Sequence, residues 1–511
     1  MSTHPNIATV GQLKASGYQP KSIKQEIRDN LIGKISRKEE TFPGIVGYED
    51  TVIPDTERAL LSRHNILLLG LRGQAKTRMA RQMTDLLDEW IPVVAGSEIN
   101  DDPLQPLSKY AVDLIHEKGD DTPIEWMHRS QRYGEKLATP DVSVADLIGD
   151  IDPIKAANLK LSFADERVLH YGIIPRSNRC IFVINELPDL QARIQVALFN
   201  ILQEGDIQIR GFKLRLPLDI LFVFTANPED YTNRGSIVTP LKDRIESQIL
   251  THYPKTIEAA LSITEQEADV LPEQADRIAI SDMVKRLIEQ IAFEARGSEY
   301  VDKKSGVSAR LTISAYENAV STAERRAIIH GEKNSQVWIS DLSGIIPSIT
   351  GKIELVYEGE QEGPYQVALN LLDKAIRSQF VQYFPNPELL KKRRSSGKPP
   401  AQAKEEENPY KAITAWFDAG NKIDLLIDAP DRDKINLLYQ VDGLHALVRK
   451  YFNRAHEAEM ALLMEFVLHG LASYSLISKR LIDGRVEFKD LMGSMLNLGG
   501  GFDEELGEDD L

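Results

Sequence analysis

The sequence predicts an α/β fold, a parallel sheet flanked by helices, followed by a helical lid and a C-terminal helical domain. Apolar runs at residues 65–69, 180–184 and 220–225 are continuous rather than alternating. Strands buried on both faces of a parallel sheet have this pattern. Helical patterns at 76–90 and 190–204 follow the first two runs, and strand signals fade after residue 256.

Changes in composition along the 511 residues predict several segments. These are an N-terminal helical extension (1–40), the α/β domain (41–255), the helical lid (256–384), a linker (385–410), a C-terminal helical domain (411–493) and an acidic disordered tail (494–511). Within the α/β domain, residues 97–139 are polar and irregular, and we interpret them as an insertion.

Composition restricts the class of protein. The chain is 42% hydrophobic, carries a net charge of −16 and has one cysteine, Cys180. One cysteine excludes an internal disulfide framework, and an acidic chain argues against coating nucleic acid. No apolar run approaches the roughly 20 residues that span a bilayer, and the N-terminus lacks a secretory pattern. We therefore expect a cytoplasmic protein without a membrane segment.

A glycine-rich loop follows the first apolar run and precedes a helical pattern. It reads Gly70-Leu71-Arg72-Gly73-Gln74-Ala75-Lys76-Thr77. In this order, glycines let backbone N–H groups surround a triphosphate, and the helix N-terminus favours negative charge. We expect Lys76 to contact the β- and γ-phosphates and Thr77 to give its hydroxyl to Mg²⁺. Ala75 stands where glycine is usual, and we expect it to adopt a helical conformation there.

The second buried run ends in Asn185-Glu186. A P-loop ATPase needs an acidic strand end near Mg²⁺, and the usual pair is Asp-Glu. Asn185 can hydrogen-bond a metal-bound water but brings no charge, which predicts weaker Mg²⁺ binding or slower hydrolysis. Glu186 occupies the position of the residue that polarises the attacking water.

Three further polar residues follow in an informative order. The third buried run is followed by Asn227, a candidate to orient the water or sense the γ-phosphate. Arg244 follows a predicted short helix, and Arg310 opens a later one. An arginine that reaches a γ-phosphate stabilises transition-state charge. Each arginine alone is more typical of a surface salt bridge, so their order carries the hypothesis.

Together these motifs resemble the AAA+ ATPases of the MoxR and magnesium-chelatase I-subunit clade. The resemblance covers about residues 42–350 and starts at Gly44-Ile45-Val46-Gly47-Tyr48. The segment Val144 to Pro153 is similar to the clade's insertion in its second helix, and Glu204-Gly205-Asp206 with 207–216 to its hairpin. The stretch from His170 to Pro175 resembles the chelatase subunit.

The resemblance implies ATP and Mg²⁺ as cofactors and a ring, commonly hexameric, with ATP between subunits. It also implies a partner protein with a von Willebrand A-type domain. It assigns Thr77 and Asn185 to the metal, Glu186 and Asn227 (sensor 1) to catalysis, and Arg244 and Arg310 to the arginine finger and sensor 2. The residues implied to contact nucleotide are Ile45, Val46, Tyr48, Gly70, Arg72, Gly73, Gln74, Ala75, Lys76, Thr77 and Arg78.

Several functions remain open at this point. The first hypothesis is an ATP-driven motor that remodels or activates a partner protein, as a chaperone or in metal insertion. The second is a nucleotide-binding scaffold with little hydrolysis, motivated by Asn185. A sigma-54-type transcription activator shares the hairpin and the insertion, but that group's Gly-Ala-Phe-Thr-Gly-Ala loop is missing from this sequence. A magnesium-chelatase role is the fourth.

Other patterns carry less weight. His456 and Glu457 hint at a zinc helix, but Met460 stands where a second histidine is required. The basic run 391–394 is typical of a solvated linker, with nucleic-acid contact as the alternative. The acidic tail is interpreted as a solubility feature, or alternatively as a docking segment for a basic partner.

Overall fold

The computed structural model describes residues 6–162, 165–204, 206–207, 209, 216–228, 236–389, 408–482 and 484–491. The chain divides into two units, Met1–Tyr253 and Pro254–Leu511. Most of the predicted linker (390–407) and the whole predicted tail (494–511) lie outside the described residues. Among the described helices, none is long and apolar enough to cross a membrane.

A five-stranded sheet organises the first unit. The strands of this unit are β1 (Ile66–Leu69), β2 (Trp90–Val94), β3 (Ile124–His128), β4 (Tyr133–Leu137), β5 (Gly149–Ile151), β6 (Leu169–Tyr171), β7 (Cys180–Asn185), β8 (Asp206–Ile207), β9 (Leu216–Pro217), β10 (Ile220–Ala226) and β11 (Ser247–Leu250). The central sheet has the order β11–β1–β10–β7–β4, and each neighbouring pair is parallel. The predicted parallel sheet is confirmed, and its three apolar runs are β1, β7 and β10.

Helices cover both faces of this sheet. The described helices of the first unit are α1 (Val10–Ala15), α2 (Ile23–Ser36), α3 (Val52–Leu61), α4 (Lys76–Gln82), α5 (Lys109–Lys118), α6 (Val144–Leu147), α7 (Pro153–Leu159), α8 (Ile173–Arg176), α9 (Ala192–Glu204) and α10 (Thr239–Asp243). Side chains of β10 alternate between two cores, because successive residues of a strand point to opposite faces. Leu221 and Val223 pack with α2, α3 and α4, whereas Phe222 and Phe224 pack with α9.

The helix predicted over 76–90 is wrong in its second half. It ends at Gln82, a 3₁₀ turn covers Met83–Leu86, and Trp90 opens β2. The run Trp90-Ile91-Pro92-Val93-Val94 is aromatic and β-branched and contains a proline, all of which disfavour a helix interior. β2 pairs antiparallel with β3.

The interpretation of residues 97–139 as an irregular insertion is also wrong. This stretch contains α5, β3 and β4, and β4 pairs in parallel with β7 at the edge of the central sheet. An edge strand has one neighbour and a partly solvated face, so β4 lacks the apolar run that marks the inner strands. Its five residues are Tyr133-Gly134-Glu135-Lys136-Leu137.

The two segments that resembled clade-specific insertions are both hairpins. In the first, β5 and β6 pair antiparallel and α7 lies between them in the chain. Asp152 caps α7 by accepting hydrogen bonds from the backbone N–H groups of Ile154 and Lys155, both at 2.9 Å. In the second, β8 pairs antiparallel with β9, and most residues between these strands lie outside the described part of the chain.

The second unit is mainly helical. Its helices are α11 (Ile257–Glu267), α12 (Pro272–Arg277), α13 (Asp282–Gly297), α14 (Arg310–Ile329), α15 (Ile346–Thr350), α16 (Tyr357–Glu362), α17 (Pro364–Tyr383), α18 (Lys411–Asp418), α19 (Asp431–Tyr439), α20 (Leu444–Tyr451) and α21 (Glu457–Ser473). Its strands are β12 (Ile278–Ala279), β13 (Ser335–Gln336), β14 (Ile423–Leu426), β15 (Ser478–Ile482) and β16 (Arg485–Lys489).

The prediction of a separate helical domain at 411–493 does not fit this unit. One hydrophobic core contains Leu287 of α13, Phe380 of α17 and Phe466 of α21, so 256–384 and the described part of 411–493 fold together. The C-terminal part also contains a three-stranded antiparallel sheet in the order β14–β16–β15. Its sequence signal was the alternation of buried Val486 and Phe488 with polar neighbours.

Candidate functional site

The glycine-rich loop lies between the end of β1 and the start of α4, at the carboxyl edge of the parallel sheet. Ligands of open α/β sheets bind at this edge. Gly70 donates its N–H to the carbonyl of Ala226 at 3.1 Å, which ties the start of the loop to the end of β10. A Cβ on Gly70 would collide with Thr251 Oγ1 and Gln74 Oε1, so a larger residue would displace these two side chains.

The backbone conformation of Ala75 differs from the one expected from the sequence. We expected it to be helical, but it precedes α4 in the left-handed conformation, with φ of 55° and ψ of 15°. The left-handed region costs a residue with a Cβ roughly 1–2 kcal/mol. Glycine carries no such cost, which explains why glycine is usual directly before the lysine of this loop. The loop therefore keeps the glycine geometry with an alanine side chain, which is exposed.

Lys76 is held at the centre of the site. Its Nζ donates to the carbonyl of Leu71 at 2.9 Å and to Asn227 Oδ1 at 2.7 Å, and it also contacts the carbonyl of Gly70. The side chain is buried. Phosphate oxygens carry charge and are stronger acceptors for an ammonium group than these neutral oxygens.

Asn227 connects Lys76 to Glu186. Its Oδ1 accepts from Lys76, and its Nδ2 donates to Glu186 Oε2 at 2.6 Å. Glu186 has a positive φ of 55°, a backbone conformation that is uncommon for glutamate and that clusters at functional sites. Three residues predicted from separate stretches of sequence therefore form one hydrogen-bonded chain.

Thr77 and Asn185 also come together. Thr77 Oγ1 lies 3.5 Å from Asn185 Oδ1, and Thr225 Oγ1 donates to the same oxygen at 3.1 Å. Thr225 Oγ1 in turn accepts from the backbone N–H of Glu186 at 3.2 Å. Thr225 is the next-to-last residue of β10, and the sequence analysis did not assign it a role.

Glu135 is a second site residue that the sequence analysis missed. It lies on β4, and its Oε1 accepts from Asn185 Nδ2 at 2.5 Å. Its Oε2 accepts from Arg81 Nη2 at 2.9 Å and from the hydroxyl of Tyr133 at 3.0 Å. Contact with Glu135 raises the pKa of Arg81, and burial raises that of the Tyr133 hydroxyl. Glu135 was overlooked because its strand was interpreted as an insertion.

Residues that precede and follow the loop in sequence hold it in place by hydrogen bonds. The Tyr48 hydroxyl shares its single proton between the carbonyl of Gln74, at 3.0 Å, and that of His252, at 2.8 Å. Thr251 Oγ1 donates to Gln74 Oε1 at 2.6 Å, and the Tyr253 hydroxyl donates to the carbonyl of Arg72 at 2.9 Å. The segment after β11 thus fixes the loop.

The buried position of Tyr48 bears on its implied adenine contact. Burial raises the pKa of its hydroxyl to about 12, and its ring packs edge-on against His252. Ile45 is buried in the same core, whereas Val46 is half-buried. The structure thus gives Tyr48 a bracing contact with the loop, and packing of these three residues on adenine stays a prediction.

The remaining predicted residues are arginines that are exposed or half-buried. Arg72 is exposed and Arg78 half-buried. Arg244 directly follows α10, with its guanidinium 3.9 Å above the ring of Phe199 and its Nη1 donating to the carbonyl of Pro240 at 3.0 Å. Arg310 opens α14 of the second unit and is exposed. The roles of both arginines as arginine finger and sensor 2 stay predictions.

The donor set suits Mg²⁺. The Thr77 hydroxyl and the Asn185 amide oxygen are hard oxygen donors, and Mg²⁺ takes few protein ligands beside phosphate oxygens and water. Within the described ranges, no group of three or more histidine, cysteine, aspartate or glutamate side chains could hold a metal by itself. Cys180 is buried, and burial raises the pKa of its thiol to about 11, which fits a core residue.

Neither a protein-family model nor a curated protein matches this sequence. Among solved structures, a Cytophaga hutchinsonii protein classed as an ATPase is 18% identical over 71% of this chain and 97% of its own, with a TM-score of 0.28. One chain from a structure of the complex between the magnesium-chelatase subunits BchI and BchD is 18% identical. The match covers 63% of this chain and 98% of that chain, with a TM-score of 0.32.

A third similar structure is Hsp104 bound to ATPγS and casein. It is 12% identical over 64% of this chain and 52% of its own, with a TM-score of 0.37. The strand order of the central sheet and the geometry of the loop define the candidate site.

Proposed function

We propose that this chain is a Mg²⁺-dependent ATPase of the AAA+ type, of the MoxR and magnesium-chelatase clade. It binds ATP on the loop that runs from Gly70 to Thr77 and hydrolyses it to ADP and phosphate. It works as a ring, commonly hexameric in this clade, and remodels or activates a partner protein. A partner with a von Willebrand A-type domain is the class that the resemblance suggests.

The hydrogen-bonded chain from Lys76 through Asn227 to Glu186 carries this proposal. A phosphate-binding loop alone supports only nucleotide binding. Here its lysine is linked by a single amide to a carboxylate at the end of a neighbouring parallel strand. Hydrolysis needs this combination, because one group must hold the γ-phosphate while another orients the attacking water.

Each side chain then has a definite task. Lys76 and the loop N–H groups hold the β- and γ-phosphates, and Glu186 accepts a proton from the attacking water. Asn227 holds the side chains of Lys76 and Glu186 in position for the γ-phosphate through its two hydrogen bonds. Mg²⁺, when bound, neutralises charge on the phosphates, and Thr77 and Asn185 are the residues that would hold it. Arg244 reaches the nucleotide of the next subunit.

Steady-state phosphate release and fluorescent-ATP binding test the proposal. We expect Glu186→Gln to keep ATP binding and to lose turnover by about 10²-fold or more, the usual contribution of a general base. Arg244→Ala should also keep ATP binding. Its loss of turnover should appear only in the assembled ring, because Arg244 acts on the nucleotide of the next subunit. Wild-type protein that binds ATP and assembles but releases no phosphate would refute the motor.

A nucleotide-binding scaffold is the second candidate, and Asn185 favours it. An amide in place of the usual aspartate removes a charge beside the metal position. The scaffold predicts ATP-dependent assembly at normal affinity with phosphate release no faster in wild type than in Glu186→Gln. The same two measurements therefore decide between the candidates.

A further inference from the structure

We propose that Glu135 supplies the negative charge that Asn185 lacks, so that the Asn185–Glu135 pair does the work of a single aspartate toward Mg²⁺. Glu135 is a positioning residue in this proposal, because its contact with the site runs through Asn185. The inference rests on the proposed function, since it concerns the metal that accompanies ATP.

The hydrogen bonds determine which way the Asn185 amide points. An ionised carboxylate only accepts hydrogen bonds, so the amide NH₂ must face Glu135 Oε1, at 2.5 Å. The amide oxygen then faces the hydroxyl groups of Thr225 and Thr77. Glu135 thus turns the only acceptor of the Asn185 side chain toward the hydroxyl that is expected to bind Mg²⁺.

The same contact explains why residue 185 is an asparagine. With aspartate there, two carboxylates would face each other at hydrogen-bond distance and would repel one another. The pair carries one negative charge whichever of its two members is the carboxylate. A variant with the carboxylate at residue 185 and the amide at residue 135 should therefore conserve the charge of the site.

Burial favours Glu135 over its cation as the charge that acts on the metal. The side chain of Glu135 is 24% exposed, whereas that of its partner Arg81 is 64% exposed. Solvent screens an exposed charge more than a partly buried one. The Tyr133 hydroxyl adds a further hydrogen bond to Oε2 without adding charge at neutral pH.

The competing explanation is a purely structural role. The Arg81–Glu135 pair links α4 to β4, and Glu135 could serve only to hold these elements together. This explanation predicts that loss of Arg81 and loss of Glu135 act alike. The charge hypothesis predicts opposite effects, because Arg81 opposes the charge that Glu135 contributes.

The test is Mn²⁺ binding in the presence of a non-hydrolysable ATP analogue, followed by electron paramagnetic resonance. The variants are Glu135→Gln, which keeps an acceptor for Asn185 but removes the charge, Asn185→Asp with Glu135→Gln, and Arg81→Ala. Analogue binding without metal and thermal denaturation without ligand serve as controls for the loop and the fold.

We expect Glu135→Gln to weaken Mn²⁺ binding about tenfold or more, as for removal of a unit charge near a divalent ion. Metal-free analogue binding should change less than about twofold, because Lys76 and the loop stay intact. The double variant should recover most of the lost Mn²⁺ affinity, and Arg81→Ala should bind Mn²⁺ at least as tightly as wild type.

Two results would overturn the inference alone: unchanged Mn²⁺ affinity in Glu135→Gln, or equal losses in Glu135→Gln and Arg81→Ala. A double variant as weak as Glu135→Gln would also overturn it. Wild-type protein that binds no analogue, with or without metal, would instead overturn the proposed function and this inference together.

Discussion

The conformation of Ala75 is a strained feature at the scale of a single residue. Its left-handed backbone costs roughly 1–2 kcal/mol, and the strain lies directly before the lysine of the loop. Strain of this kind persists when the surroundings hold it, and here Tyr48 and Thr251 both bond to the adjacent Gln74. Ala75 therefore keeps a conformation typical of glycine because these hydrogen bonds to Gln74 hold the loop in place.

A pair of substitutions tests this account. We expect Ala75→Gly to keep ATP affinity and stability, because relief of strain offsets roughly 0.4–1 kcal/mol of added unfolded-chain entropy. Ala75→Val should weaken ATP binding, since β-branched residues are genuine outliers at positive φ. Fluorescent-ATP titration and thermal denaturation measure both. A valine variant that behaves like wild type would show that the loop does not need this conformation.

Residues in the loop and at the strand ends were predictable one by one. Lys76, Thr77, Glu186 and Asn227 each follow a strand or loop signal that is local in sequence. Glu135 was not, because nothing near it in the sequence points to Asn185, 50 positions away. That contact exists only because β4 pairs with β7.

At the scale of elements, α2 is part of the first unit rather than an appended extension. Its residues Ile23, Ile27 and Leu31 are buried in the core beside α3 and α4. Its Glu26 is also buried and binds the Arg132 guanidinium through two hydrogen bonds, at 2.6 and 2.8 Å. Arg132 directly precedes β4, so this pair ties α2 to the start of the strand that carries Glu135.

We expect Glu26→Ala to lower the free energy of unfolding by about 3–5 kcal/mol, because it leaves Arg132 buried without its counter-charge. Lys21→Ala is the matched control on the same segment. Its ion pair with Asp29 is exposed and should contribute less than about 1 kcal/mol. Urea denaturation with hydrogen exchange of the α2 amides measures both, and equal effects would contradict the account.

At the scale of the molecule, a charge network around Arg326 joins the C-terminal part of the second unit to α14. Arg326 of α14 is fully buried and bonds to Asp341 at 2.9 Å and to Asp431 of α19. Its Nη1 also donates to Ser335 Oγ at 3.1 Å. The contact between Arg326 and Asp431 spans 105 residues of chain and links 411–491 to the lid.

Two neighbouring arginines make a sharp comparison. Arg326→Ala should destabilise the second unit by about 3 kcal/mol, because fully buried Asp341 would keep only Lys434, at 3.7 Å, as a cation and half-buried Asp431 would lose its partner. Arg325→Ala removes an exposed ion pair with Asp428, so the expected loss is below about 1 kcal/mol. Thermal denaturation of the full chain measures both. Similar losses in the two variants would mean that burial of the network is unimportant.

The sequence by itself determined the α/β class, the inner strands, the phosphate loop and the polar strand ends. Continuous apolar runs and glycine spacing are local features that few other structures satisfy. Tertiary structure alone decided that β4 belongs to the sheet, that Glu135 meets Asn185, and that 411–491 shares the core of the lid. These facts depend on which distant segments pair, and strand order and core packing, rather than local spacing, set that pairing.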